Sequence, residues 1–287
     1  MMKIPASLIT PEVRERVGRL ELPFNRYGLD PFGISRDHLA LFYSLLSKLY
    51  RNYFRVQCHG IEHVPKQGRA VIIGNHSGGL PVDGGMVLAS LFLEMDPPRH
   101  AHGMVELFAQ NWPFISELFS RAGQLPGLPE HAVRFLENDR LLMVFPEGAR
   151  GTGKLFKDRY QLVRFGTGFM RIALQTRSPI VPFAFIGGEE AFPILFRITT
   201  IARMVGAPDL PVAPQLVLAP LPVSCQIHYG EPMFFEGDGR ESDDVIDANV
   251  EKVKERIAEL IAQGRAERPW AFTMRRVESP RDPTNPR

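Results

Sequence analysis

Four short apolar runs punctuate the chain at Ala70 to Ile73, Leu141 to Phe145, Ile180 to Ile186 and Gln226 to Tyr229. They are too short for helices and end in Gly, Pro or polar residues, so they predict buried strands. Between and after them, apolar positions recur at three- and four-residue spacing over Gly84 to Glu94, Asn111 to Arg121, His131 to Glu137, Tyr160 to Gln175 and Asp243 to Gln263. That is the helical period. Strands alternating with helices predict an α/β fold, a mostly parallel sheet flanked by helices.

Ahead of the first strand, Leu39, Phe42, Leu46, Leu49, Tyr50 and Tyr53 form one stripe of a helix over Asp37 to Phe54. Leu41, Leu45 and Phe54 widen it, and Arg36, Lys48, Arg51 and Arg55 flank it. An amphipathic helix of this kind either lies in the interface of an anionic bilayer or turns its stripe into a core. Met104 to Ala122, with Leu107, Phe108, Trp112, Phe114, Ile115, Leu118 and Phe119, offers the same two readings. The proline-dense stretch Ala207 to Val223 predicts an extended surface loop, and the tail from Glu278, with prolines at 280, 283 and 286, predicts disorder.

The chain's 287 residues suffice for one large α/β domain with appendages. A net charge of +2 excludes a polyanion-binding surface spread over the whole molecule, so any basic patch is local and no nucleic-acid partner is expected. Two cysteines, Cys58 and Cys225, make no disulfide framework and suit a reducing cytosol. Met1 to Arg14 lacks the apolar core of a signal peptide, and no run of 18 apolar residues predicts a spanning helix.

The chemistry concentrates in Asn75-His76-Ser77-Gly78-Gly79-Leu80-Pro81-Val82-Asp83, directly after the first strand. An imidazole titrates near neutrality, and a carboxylate can set its tautomer and stabilise its protonated form. His76 is thus the candidate general base for a substrate hydroxyl and Asp83 its partner. The alternatives are a structural histidine and an aspartate that only caps the following helix. The backbone N–H groups of Ser77, Gly78 and Gly79 are candidate oxyanion donors.

A second block, Phe145-Pro146-Glu147-Gly148, ends the second strand. Glu147 cannot be buried alone and is expected to meet a backbone donor, an Arg or a substrate hydroxyl. Arg150, Lys154, Lys157 and Arg159 follow within ten residues, which suits a phosphate on acceptor or donor, or else an ordinary solvated loop. Gly148 to Lys154 also has the glycine and lysine spacing of a nucleotide-binding P-loop, but Leu155 stands where the metal-binding hydroxyl belongs. His100 with His102, and His59 with His63, lack further ligands at metal-binding spacing and read as surface histidines; no metal site is expected.

The Asn75 to Asp83 stretch, Phe145-Pro146-Glu147-Gly148 and the later Pro179-Ile180-Val181-Pro182 resemble, in order and separation, the motifs of the glycerolipid (lysophospholipid) acyltransferase superfamily. The likeness runs from about Val56 to Ile186 and weakens toward Glu231. Six residues between His76 and Asp83, where the usual pattern has four, resemble the monoacylglycerol/diacylglycerol acyltransferase-like branch. The resemblance implies that Glu147 and Gly148 line the acceptor site and that Pro182 shapes an acyl pocket.

It also implies a His/Asp general-base O-acyltransferase moving a fatty acyl group from a thioester to a glycerolipid hydroxyl. Acyl-CoA is favoured over acyl carrier protein as co-substrate, no cofactor is needed, and the acceptor is expected to be neutral, mono- or diacylglycerol. Lysophosphatidate acylation, and an inactive lipid-binding membrane protein, are the alternatives. The organisation expected is residues 1–55 as a helical membrane-associating segment, 56–277 as the acyltransferase domain and 278–287 as a disordered tail, in a cytoplasmic protein held peripherally at a membrane.

Overall fold

The computed structural model describes residues 5–77, 82–105, 115–198, 210–212 and 219–268. Nine strands are described: β1 (Gln57–His59), β2 (Ala70–Gly74), β3 (Ala101–Val105), β4 (Leu125–Pro126), β5 (Leu141–Val144), β6 (Ile180–Ile186), β7 (Phe196–Ile198), β8 (Leu210–Val212) and β9 (Gln226–Tyr229). Seven make one sheet in the order β1-β9-β6-β2-β5-β3-β4. Every neighbouring pair in it is parallel except β6 with β9. β7 and β8 form a separate antiparallel pair.

The helices are α1 (Pro11–Gly18), α2 (Arg36–Lys48), α3 (Val82–Leu93), α4 (Ile115–Arg121), α5 (Pro129–Glu137), α6 (Ala149–Thr152), α7 (Gly168–Thr176), α8 (Gly188–Ala191) and α9 (Asp243–Glu267). They cover both sheet faces, which explains why β2 and β6 read as unbroken apolar runs. Side chains alternate across the pleat. On one face Ala70, Ile72, Val181, Phe183 and Phe185 pack with α2 and α3; on the other Val71, Ile73, Ile180, Ala184 and Ile186 pack with α5, α7 and α9.

The amphipathic stripe of Asp37 to Phe54 belongs to the first of these cores. α2 runs on through a single π turn at Leu49–Tyr53, closed by Phe54 N–H donating to Leu49 O at 2.8 Å, and Leu39, Phe42, Tyr43, Leu46, Tyr50 and Phe54 are all buried. Each large apolar side chain contributes about 1.5–3 kcal/mol when buried, so this stripe is held by the fold, and the membrane-facing reading of it gives way to the core reading. Leu45 remains outside, exposed on α2. Of the second amphipathic candidate, residues 106–114 lie outside the described residues, as does the tail 278–287.

Three expectations are corrected. Tyr160 to Gln175 is helical only from Gly168, because Tyr160 sits at φ +65° and the chain after it is drawn inward to bond a buried carboxylate. The proline-dense stretch is not all loop, since Leu210–Val212 pairs with Phe196–Ile198. His100 and His102 are buried, not superficial. His100 Nδ1 lies 2.7 Å from Tyr43 Oη, and His102 stacks on Phe135 at 3.9 Å.

Candidate active site

The site gathers where β2, β5 and β6 end side by side. Open α/β sheets place their sites at the carboxyl ends of strands, where the connections diverge to opposite sides of a central strand, here β2. Asn75 anchors the loop after β2: its Nδ2 donates to Phe185 O at 3.0 Å and its Oδ1 accepts Phe185 N–H at 2.8 Å. This bidentate clamp to β6 fixes the next residue, His76.

His76 Nδ1 is 2.7 Å from Asp83 Oδ2, with the imidazole 15% exposed and the carboxylate fully buried. An ionised carboxylate only accepts, so Nδ1 carries a proton, and it is the neutral imidazole that offers a lone pair at Nε2, which has no hydrogen-bond partner among the described residues. Ser77 N–H donates to the same Asp83 oxygen at 2.7 Å, and Gly84 N–H donates to Oδ1 at 2.7 Å. Asp83 lies inside the first turn of α3 with its carboxylate turned back to the His76 loop, so its work is not that of a simple cap. The imidazole stacks on Phe145 at 4.2 Å and 17°.

Glu147 holds the other side of His76. Its Oε1 accepts His76 N–H at 2.9 Å, and its Oε2 accepts Val163 N–H at 3.0 Å and lies 3.3 Å from Lys154 Nζ. Of the partners expected for it, the structure supplies backbone donors; a lysine stands where an Arg was expected, and both oxygens are used within the protein. Lys154 is likewise buried, between Glu147 and Glu189, which corrects its assignment to an exposed phosphate-binding cluster. Arg150, Lys157 and Arg159 are exposed. Arg150 Nη2 donates to Arg164 O at 3.3 Å and the Arg159 guanidinium lies over the Phe156 ring.

The P-loop-like spacing has a local cause. Gly148 adopts φ +55°, where a side chain would be strained, and Gly151 packs α6 against the site. A Cβ on Gly151 would stand 2.8 Å from both Glu147 Cβ and His76 Cβ. Gly151→Ala is therefore expected to lower both melting temperature and turnover, since overpacking costs about 1–3 kcal/mol; thermal unfolding beside an activity assay checks it, and a variant equal to wild type in both would refute the close fit.

Two other assignments move. Ser77 N–H is committed to Asp83, which removes it as an oxyanion donor, and Ser77 is buried against Gly188, where a Cβ would meet Ser77 Oγ. Gly78 and Gly79 lie outside the described residues. Pro182 pairs in register with Ile73, and side chains alternate along β6, which puts its ring on the opposite face from Phe183. The structure does not bring it to His76. Asn75 and Phe145 stand at the head of the two motif blocks and Gly151 in the glycine-rich run after the second, but none was given a role of its own from the sequence.

An apolar cavity of about 380 Å³ is lined by Leu46, Leu49, Tyr53, Phe54, Val82, Gly85, Met86, Ala219 and Pro220. It opens between α2 with its π turn and the start of α3. No described helix is long and apolar enough to cross a membrane, and the described residues contain no cluster of three or more metal-ligating side chains.

Residues 55–186 match the family model described as Acyltransferase. This segment belongs to the glycerolipid acyltransferase superfamily. The chain is 37% identical over 215 residues to an uncharacterized protein of Mycobacterium tuberculosis, an overlap covering 72% of this chain and 60% of the relative. It is 26% identical over 182 residues to the human "DGAT1/2-independent enzyme synthesizing storage lipids", covering 63% of this chain and 54% of that protein. The chain thus spans a little over half of the length of these curated relatives. The crystal structure of the 1-acyl-sn-glycerophosphate (LPA) acyltransferase PlsC from Thermotoga maritima superposes with a TM-score of 0.57 over 81% of this chain and 83% of that one, at 14% identity, a likeness of fold.

Proposed function

We propose that the protein transfers a fatty acyl group from an acyl thioester, acyl-CoA in preference to acyl carrier protein, to a hydroxyl of a neutral glycerolipid such as mono- or diacylglycerol. The observation that carries this is the His76–Asp83 pair, with Nδ1 protonated toward a buried carboxylate and Nε2 unpartnered. Nε2 takes the proton as the acceptor oxygen attacks the thioester carbonyl. The tetrahedral intermediate then expels the thiolate, and the imidazolium returns the proton to sulfur. The protein needs no nucleophile of its own, since the substrate brings the alcohol.

Support for a neutral acceptor comes from the charges around His76. One cation of the second block, Lys154, is neutralised between Glu147 and Glu189. The relative named for storage-lipid synthesis points the same way. The apolar cavity between α2 and the start of α3 suits an alkyl chain, at about 0.8 kcal/mol per buried methylene, and exposed Leu45 with Lys48 suits a peripheral stance at a membrane surface. A lysophosphatidate acceptor is the second reading, favoured by exposed Arg150, Lys157 and Arg159.

Thioester release with monoacylglycerol, diacylglycerol and lysophosphatidate in turn tests the choice. A neutral acceptor is expected to exceed lysophosphatidate in kcat/KM by about tenfold or more, the equivalent of 1.4 kcal/mol. The reverse order would establish the second reading, and no release with any acceptor would favour a lipid-binding protein without turnover.

A further inference from the structure

The loop that carries His76 rests on a buried charge cluster that the proposed chemistry does not use. Lys154 Nζ lies 3.3 Å from Glu147 Oε2, 3.6 Å from Glu189 Oε1 and 3.2 Å from Gln161 O. The three charged side chains are 4% exposed or less. An ammonium has three protons, and here it faces three acceptors. One of them, Glu147, spends its other oxygen on His76 N–H at 2.9 Å. We infer that Lys154 is a positioning residue for the base: it supplies the counter-charge that keeps Glu147 on the backbone of His76, while Asp83 orients the ring.

The cluster joins the carboxyl ends of three adjacent strands. His76 follows β2, Glu147 follows β5 and Glu189 lies in α8 after β6, so the ammonium ties together the segments whose mutual distance sets where Nε2 stands. Two carboxylates against one ammonium leave a surplus negative charge in a buried place, which is costly. Glu189 is the member that yields: burial pushes its carboxyl up to about 7, its Oε2 has no partner among the described residues, and near neutrality it takes a proton and leaves Lys154 to Glu147. The arrangement also favours lysine over arginine, because a planar guanidinium cannot aim at three acceptors disposed around one nitrogen.

The kinetic part rests on the acyl-transfer reading of His76. Lys154→Met, close in length but uncharged, is expected to lower kcat by about 10- to 100-fold, the scale of a misplaced catalytic group, with both KM values within about twofold of wild type. In a Glu147→Gln background the same substitution is expected to add little, because the coupling runs through Glu147. Glu189→Gln keeps the Lys154–Glu147 pair and is expected to hold kcat within about threefold of wild type. Lys154→Arg retains the charge and serves if the methionine variant does not fold; it is expected to lower kcat at unchanged KM. A raised thioester KM at unchanged kcat in either Lys154 variant would overturn the inference in favour of a phosphate contact, and so would full additivity with Glu147→Gln.

A readout independent of turnover separates this inference from the reading it rests on. Hydrogen–deuterium exchange at the His76 amide is expected to speed up by about tenfold in Lys154→Met, in line with loss of roughly one hydrogen bond's net stabilisation, and to stay at the wild-type rate in Glu189→Gln. Unchanged exchange in Lys154→Met overturns the positioning role even if the enzyme proves to be an acyltransferase. Faster exchange upholds it even if the acyl-transfer assay fails.

Discussion

His76→Ala is expected to cut acyl transfer by about 10²- to 10⁴-fold, the usual contribution of a positioned general base, while leaving the fold in place. The imidazole is partly exposed and, among the described residues, stacks on Phe145, so its removal uncovers little of the core. Asp83→Asn is expected to fall into a comparable range, for a different reason. Asp83 Oδ2 accepts from both His76 Nδ1 and Ser77 N–H. An amide in its place must aim its NH2 either at Gly84 N–H, which donates to Oδ1, or at His76 Nδ1 and Ser77 N–H, and the second placement would drive the imidazole into the tautomer that puts the proton on Nε2, abolishing the base. Thioester release by the two variants, with circular dichroism and thermal melts as controls, provides the check. A well-folded His76→Ala protein with wild-type turnover would end the general-base mechanism.

Acidification is expected to destabilise the protein through His100 and His102. Burial is the first cause that holds both imidazoles neutral; Arg140 adds to it, and for His102 so does His100. The His100 value is pushed down to about 3, and that of His102 lies well below 6.5. The sign follows directly. Above pH 6.5 neither state of the chain binds the extra protons, and the stability of the neutral pair is fully present. As pH falls below 6.5 the unfolded chain takes up protons that the folded chain refuses, and stability is lost at about 1.4 kcal/mol per pH unit for each such group.

Glu189 works in the opposite direction, since its raised value favours the folded state as it takes up a proton. Comparison with a variant removes that contribution. His102→Gln is expected to lose stability between pH 6.5 and pH 5 less steeply than wild type, by about 1.4 kcal/mol per pH unit, read from urea unfolding midpoints at each pH. Parallel slopes would mean that His102 is not held neutral by the fold.

Much of the fold was legible along the chain because strongly buried strands have a plain signature. β2, β6 and β9 match their apolar runs, and α9 starts at Asp243 as its period predicts. β1, β3, β4 and β7 were missed. Gln57-Cys58-His59 is an edge strand with polar residues, and β3 carries His102 and Gly103 where a run of apolar residues would have signalled it. The site divides in the same way. His76, Asp83, Ser77 and Glu147 do come together, as their motifs implied. Lys154 was placed with its exposed neighbours because charge spacing says nothing about depth.

What the sequence alone determined is chemistry tied to local order: an alternating α/β chain, a histidine and an aspartate in one loop after a buried strand, and glycines where the backbone must turn or pack closely. Hydrophobic period and turn chemistry act over a few residues, so they are readable without the fold. What only the tertiary structure decided is which groups are neutralised and by whom. Lys154 meets Glu189 across 35 positions of chain, Asn75 meets Phe185 across 110, and His102 vanishes beneath Phe135. Burial and charge pairing depend on distance through space, and three strands ending at one sheet edge set those distances.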